Sequence, residues 1–115
     1  MVVEKRTFED GILLRVAGVI RLGESTAFFR QTLERALEEE GGDVLLDLSG
    51  INFIDSTGLG EMVGYLGRFQ ARGRRLALIR PSEPILQVLR VSRLGDRFSI
   101  YDSLEAAVAA TGGKA

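Results

Sequence analysis

The chain has 115 residues, 45% of them hydrophobic and 27% charged, which supplies the apolar content of one ordinary globular core and is too apolar for a disordered segment. Fifteen basic residues against sixteen acidic ones leave a net charge of -1, so no overall field draws the chain to nucleic acid or to an anionic membrane. Cysteine and histidine are both absent, which excludes disulfides, thiolate chemistry, sulfur-ligated metal and every Ser-His-Asp or Cys-His arrangement, and leaves an all-carboxylate metal site as the protein-only alternative.

The opening residues Met1 to Arg6 carry charge with no long apolar run behind it, unlike a signal peptide. No stretch approaches the roughly 20 apolar residues that span a bilayer, so a cytoplasmic protein is expected. Val2 to Phe8 reads as a strand, Glu9-Asp10-Gly11 as a turn, and Ile12 to Ile20 as the second arm of an antiparallel hairpin. Ser25 or Thr26 is the expected cap of a first helix, whose apolar stripe is Phe29, Leu33, Ala36 and Leu37 and which Gly41-Gly42 ends. Glu38, Glu39 and Glu40 stand in its last turn, read as a solvated acidic end.

Val44 to Leu48 is apolar enough for a central strand covered on both faces, continued by Ile51 to Ile54. A second helix is expected over about Thr57 to Arg72, closed by Gly73, and a fourth strand over Arg74 to Ile79, stopped by Pro81. Ser82 is the expected cap of a third helix that carries Pro84 in its first turn and an Ile85, Val88, Leu89 stripe. Phe98 to Tyr101 reads as a last short strand. Asp102 and Glu105 stand at capping-box spacing before an Ala-rich helix, and residues 110–115 are expected to form a flexible tail. Two strands leading an alternation of helix and strand predict an α/β domain, residues 1–115, with a mixed sheet of about five strands and four helices packed mainly on one face.

The segment Asp55-Ser56-Thr57-Gly58-Leu59-Gly60 joins a buried strand to a helix, at the carboxyl edge of the parallel portion, where α/β proteins place function. Ser56 stands at or beside the N-cap, where unpaired N–H groups and the helix dipole favour an anion, so a phosphate there would alter the surface without unfolding the domain. Four glycines, Gly58, Gly60, Gly64 and Gly67, each cost about 1 kcal/mol in a helix relative to alanine and so predict close backbone approach, for Gly64 and Gly67 to the sheet. Leu59, Met62, Val63, Leu66 and Phe69 supply the core stripe, Leu59 pointing inward. Tyr65 suits either the core or a rim. Arg68, Arg72, Arg74 and Arg75 read as solvated or rim cations near the helix C-terminus.

The run Val44-Leu45-Leu46-Asp47-Leu48-Ser49-Gly50-Ile51-Asn52-Phe53-Ile54-Asp55-Ser56-Thr57-Gly58-Leu59-Gly60 resembles the signature of bacterial anti-sigma factor antagonists, the small STAS-domain proteins, and the resemblance extends over nearly the whole chain. It implies a non-catalytic partner switch without cofactor or metal. In that family the unmodified protein binds an anti-sigma factor that is also a serine kinase, and so releases a sigma factor. Phosphorylation of the serine after the aspartate, here Ser56, dissociates the complex, and a serine phosphatase resets it. The implied contact surface comprises Asp55, Ser56, Thr57, Gly58 and Gly60, bordered by Arg21 and Glu24. Members often carry an acidic residue after the Gly-x-x of the second strand, where this chain has Arg21, placed to pair with Asp55 or with a phosphate. The resemblance also admits a binding module in a transport system or stress-signalling scaffold. Asp-Ser-Thr-Gly is one residue too long for the aspartic-protease Asp-Thr/Ser-Gly loop, and a helix-rich chain is the wrong setting for it.

Overall fold

The structure is a computed structural model that describes residues 1–39 and 41–112. Its elements run β1 (Val2–Phe8), β2 (Gly11–Ile20), α1 (Glu24–Glu38), β3 (Asp43–Ile54), α2 (Ser56–Ala71), β4 (Leu76–Ile79), α3 (Glu83–Ser92), a short 3-10 turn (Gly95–Arg97), β5 (Ile100–Tyr101) and α4 (Leu104–Gly112). The strands form one sheet in the order β1-β2-β3-β4-β5, antiparallel at β1–β2 and parallel beyond. The expected mixed sheet and four helices are therefore present.

Side chains alternate across each strand, and the helices divide accordingly. Leu14, Val16, Val44, Leu46, Leu48, Leu76 and Leu78 face α1, α2 and α3, which contribute Phe29, Leu33, Met62, Leu66, Phe69, Ile85 and Leu89 to the main core. The opposite face carries Leu13, Leu45, Ala77 and Ile79 under α4, which covers them with Leu104, Ala107 and Val108. Three helices on one face and one on the other agree with the expected layering.

Several local expectations differ from what forms. The cap of α1 is neither Ser25 nor Thr26. The helix begins at Glu24 behind Gly23, whose φ of 118° suits only glycine. Ser25 instead closes the entering turn, its Oγ accepting from the Arg21 N–H and donating to the Arg21 carbonyl. Ser82 occupies the N-cap of α3, yet its side chain makes no capping bond and its Oγ is buried without a partner among the described residues. Before α4 the capping oxygen is that of Ser103, which accepts from the Ala106 N–H, rather than the carboxylate of Asp102. Residues 110–112, expected in the tail, continue α4, while 113–115 lie outside the described residues. Glu38 ends α1 and Glu39 pairs with Lys5 at 2.6 Å; Glu40 lies outside the described residues.

Arg68, Arg72, Arg74 and Arg75, expected as solvated or rim cations, all make specific contacts, Arg68 and Arg72 while remaining exposed. Arg74 donates to the carbonyls of Ala36, Leu37, Glu39 and Gly42, and Arg72 donates to that of Leu37. Together they satisfy carbonyls that the end of α1 leaves without helical partners. Arg68 bonds Glu34 and lies over the Tyr65 ring, and Tyr65, itself buried, donates its hydroxyl to the same Glu34 carboxylate. Arg75 donates to the Tyr101 hydroxyl.

Asp47, only 2% exposed, is the polar residue at the centre of β3. Its Oδ2 accepts from Arg15 on β2 and from Arg80 at the end of β4, and its Oδ1 accepts from the Ser49 N–H and hydroxyl at 3.0 and 2.7 Å. Burial alone would push this carboxyl up, but the Arg80 guanidinium and the Ser49 donors outweigh it and hold it below the ordinary carboxylate value. Ser49 is the extra residue of a bulge, since Arg15 pairs with Asp47 but Ala17 pairs with Gly50. Asp47 therefore holds this first register slip, and a second follows where Gly18 pairs with Ile51 but Val19 pairs with Phe53. Asp47→Ala takes the buried acceptor from Arg80 and Arg15, the latter keeping only its longer pairing with Glu4, and leaves the bulge without its acceptor, and we expect a loss of about 1–3 kcal/mol in urea unfolding.

Candidate functional site

The carboxyl ends of β2 and β3 converge on the start of α2. Ile20 pairs with Ile54, and the Asp55 N–H donates to the Ile20 carbonyl at 3.1 Å. Asp55 is the N-cap of α2: its Oδ1 accepts from the N–H of Thr57 at 3.0 Å, the N–H of Gly58 at 3.1 Å and the Thr57 hydroxyl. Its Oδ2 accepts from the Leu22 N–H at 2.8 Å, in the loop that leads into α1. One carboxylate thus stitches the β2–α1 loop to the start of α2. The Thr57 hydroxyl, then the N–H groups of Gly58, Leu22 and Thr57, outweigh the upward pull of burial and hold it down to about 2.

Ser56 is the first residue of α2. Its side chain is exposed, and among the described residues its hydroxyl has no hydrogen-bond partner. Thr57, by contrast, is turned inward. Its hydroxyl serves Asp55 and lies 3.4 Å from that of Thr26, a buried residue of α1. The N–H groups expected to cradle a phosphate on Ser56 are occupied, because Asp55 already takes those of Thr57 and Gly58.

Gly58 is buried, and a Cβ there would come within 2.5 Å of Ile20 Cγ2 and 3.0 Å of Ile54 Cγ1. It is the glycine that lets α2 settle on the strand ends. Gly60, two residues on and so on the opposite side of the helix, is exposed. The expectation for Gly64 and Gly67 is overturned: a Cβ at either meets nothing within 4 Å, and both face outward. Leu59 points inward as expected.

Arg21 and Glu24 border this end of the molecule, both exposed, in the loop and first helical turn that Asp55 holds. Arg21 forms no ion pair with Asp55 among the described residues; backbone N–H groups and a hydroxyl fill that carboxylate instead. Its guanidinium lies over the ring of Phe53, 5.2 Å from the centroid. Sequence reasoning missed Leu22, Thr26 and Phe53. Leu22 is 77% exposed and Phe53 43%. The available signal was an apolar residue in a polar loop for the first, and for the second a large ring at the irregular end of β3, where Val19 pairs with Phe53 after a register shift. Among the described residues no group of three or more acidic side chains is arranged to hold a metal ion, and no helix is long and apolar enough to cross a membrane.

The family model of the STAS domain matches residues 3–107. The chain belongs to the STAS domain family. An anti-sigma-B factor antagonist of Bacillus subtilis is 30% identical over 106 residues, covering 92% of this chain and 95% of its own. The anti-sigma factor antagonist SpoIIAA in its unphosphorylated form superposes with a TM-score of 0.80 at 19% identity, covering 97% of each chain. The Bacillus cell fate determinant SpoIIAA in its phosphorylated form gives 0.73 at 19% identity, covering 96% of this chain and 99% of that one. At that identity the two SpoIIAA structures speak to the fold. The Bacillus subtilis relative and SpoIIAA are anti-sigma factor antagonists, regulatory binding proteins and not enzymes.

Two predictions follow from this geometry. Gly58→Ala forces a methyl group against buried isoleucines and is expected to cost about 1–3 kcal/mol, whereas Gly64→Ala and Gly67→Ala, in open space, each raise stability by up to about 1 kcal/mol in thermal melting. The folded value of Asp55 lies below its ordinary 3.8, so its contribution to stability is whole above about pH 4 and is lost as pH falls toward 2. Asp55→Asn, which still caps, is expected to flatten the acid limb of a stability-versus-pH curve over that interval.

Proposed function

We propose that this STAS domain is an anti-sigma factor antagonist that binds an anti-sigma factor serine kinase through the surface around Ser56 and loses that partner when Ser56 is phosphorylated. The observation that carries the reading is the Ser56 hydroxyl, exposed and, among the described residues, unbonded, on a helix start whose Thr57 and Gly58 N–H groups Asp55 holds. The surroundings suit a protein partner. Of the exposed large hydrophobic residues, Val2 lies opposite Ala17 on β2, Leu22 in the β2–α1 loop, Phe28 one turn into α1 and Phe53 at the end of β3. These four belong to the Ser56 end of the sheet, Val91 and Ile100 lie elsewhere, and a groove lined by Met1, Glu24, Ser25, Ala27, Phe28 and Gln31 takes in Phe28. Apolar side chains gathered at one end mark contact surfaces more often than chance exposure does.

In the proposed switch the Ser56 oxygen attacks the terminal phosphorus of a nucleoside triphosphate held by the kinase. The hydroxyl proton passes to a base of the kinase and the nucleoside diphosphate leaves. The product carries about -1.5 to -2 additional charges in the middle of the contact. Asp55 is already ionised beside it, and its carboxylate occupies the N–H groups that would otherwise steady a phosphate. Losing about 1.4 kcal/mol lowers affinity tenfold, and withdrawing a phosphate's charge from water at the contact costs more than that. Hydrolysis by a serine phosphatase would restore the hydroxyl. Sigma factor release places the whole cycle in the cytoplasm. The likeness of the fold to SpoIIAA structures in unphosphorylated and phosphorylated forms supports this reading.

Ser56→Ala is expected to keep the fold and retain partner binding, while Ser56→Asp weakens it about tenfold or more, as measured by titration calorimetry against the host's anti-sigma factor kinase. Equal affinities for the two variants would remove the switch.

A further inference from the structure

Arg21 is anchored by its backbone and free at its side chain. The residues on either side of it are tied to Asp55, through the Ile20 carbonyl at 3.1 Å and the Leu22 N–H at 2.8 Å. Its own N–H and carbonyl bond the Ser25 hydroxyl at 2.9 and 3.1 Å, and the carbonyl also accepts from the Thr26 N–H at 3.1 Å. Residue 21 is thereby pinned against the residue that precedes Ser56. The guanidinium itself rests on the Phe53 ring and makes no ion pair among the described residues. Asp55 does not compete for it, because four donors already fill that carboxylate.

A cation over an exposed ring is held weakly beside a charge-assisted, bidentate pair with a phosphate. We propose that Arg21 reads the modification state of Ser56. With the hydroxyl free, Arg21 stays on Phe53 and offers its charge to an acidic group of the partner. With the phosphate in place, it leaves the ring for the phosphate oxygens. One event then both adds negative charge to the contact surface and withdraws the positive charge on which an acidic partner group docks. The inference rests on the reading of Ser56 given above, and it adds the chemistry of the partner contact: a carboxylate facing residue 21.

The test needs no kinase. Phosphoserine is placed at position 56 by genetic encoding, and the phosphate is titrated by phosphorus NMR in the otherwise unchanged chain and in Arg21→Ala and Arg21→Lys. The acidic neighbours Asp55 and Glu24 are common to all three, so the comparison isolates the guanidinium. The second phosphate pKa is expected to be lower by about half a unit or more with Arg21 than with alanine, and lysine is expected to recover part of the difference. The ring resonances of Phe53 are expected to move on phosphorylation only when Arg21 is present. Superimposable titrations with Arg21 and with alanine, in chains that melt alike, overturn the proposal. That result is distinct from failure of the switch itself. The titration reads an installed phosphate whether or not any kinase reaches Ser56, and the Ser56→Ala and Ser56→Asp affinities are read with Arg21 in place.

Discussion

The carboxylate of Asp55 is the contact on which the functional end of the molecule depends. A helix that starts where a parallel strand ends must satisfy its first N–H groups, and a loop that crosses above it must be held without a strand partner. Asp55 meets both needs, accepting from Thr57 and Gly58 within α2 and from Leu22 across the loop. Because each donor favours the ionised form, the group stays charged far into acid. The neighbouring serine is consequently not needed as a cap. It is displayed on a rigid turn, with its hydroxyl left over, which is the condition under which a side chain can be modified without the fold noticing.

Rigidity at that turn is inherited from deeper in the sheet. The bulge at Ser49 shifts β3 by one residue against β2, and Asp47 holds the shift with bonds to Ser49 while drawing Arg15 and Arg80 over itself. A buried carboxylate is a poor source of net stability, but it is a strong specifier of one register over another. A second shift follows between Ile51 and Phe53, so that Leu48, Ile51 and Ile54 all reach the main core and Ile54 ends opposite Ile20, beside Gly58. Gly58 in turn sets how closely α2 approaches the strand ends, and hence where Ser56 stands.

The strands and helices were legible because each has an apolar period that survives in one dimension: Phe29, Leu33, Ala36 and Leu37 for α1, or the unbroken apolar run of β3. Asp55 and Ser56 were legible because a capping residue beside a second hydroxyl, between a buried strand and a helix, is a local pattern. What escaped depends on contacts between distant residues. A glycine has the same letter whether it touches a neighbour, as Gly58 does, or faces open space, as Gly64 and Gly67 do. Arg72 and Arg74 bond the end of α1 across more than thirty positions, which no local charge pattern reveals. Ser25 and Thr26 both have capping chemistry, and only the positive φ at Gly23 decides that neither caps.

Charge at the Ser56 end is a local matter that the net value conceals. Many of the guanidinia are committed elsewhere: to the carbonyls that end α1, to Glu34, to Asp47 and to Glu83. Beside Ser56 the formal charges are those of Asp55, Glu24 and Arg21, and Asp55 is enclosed by its donors. A phosphate would therefore change this small surface by more than the whole chain's net charge of -1. Across a Debye length of about 8 Å the remote arginines do little to offset it. The response must come from the cation whose backbone is already fixed to Asp55 and whose side chain is held by nothing stronger than a ring. An acidic residue at position 21 could only deepen the repulsion, whereas arginine gives the same site a way to answer it.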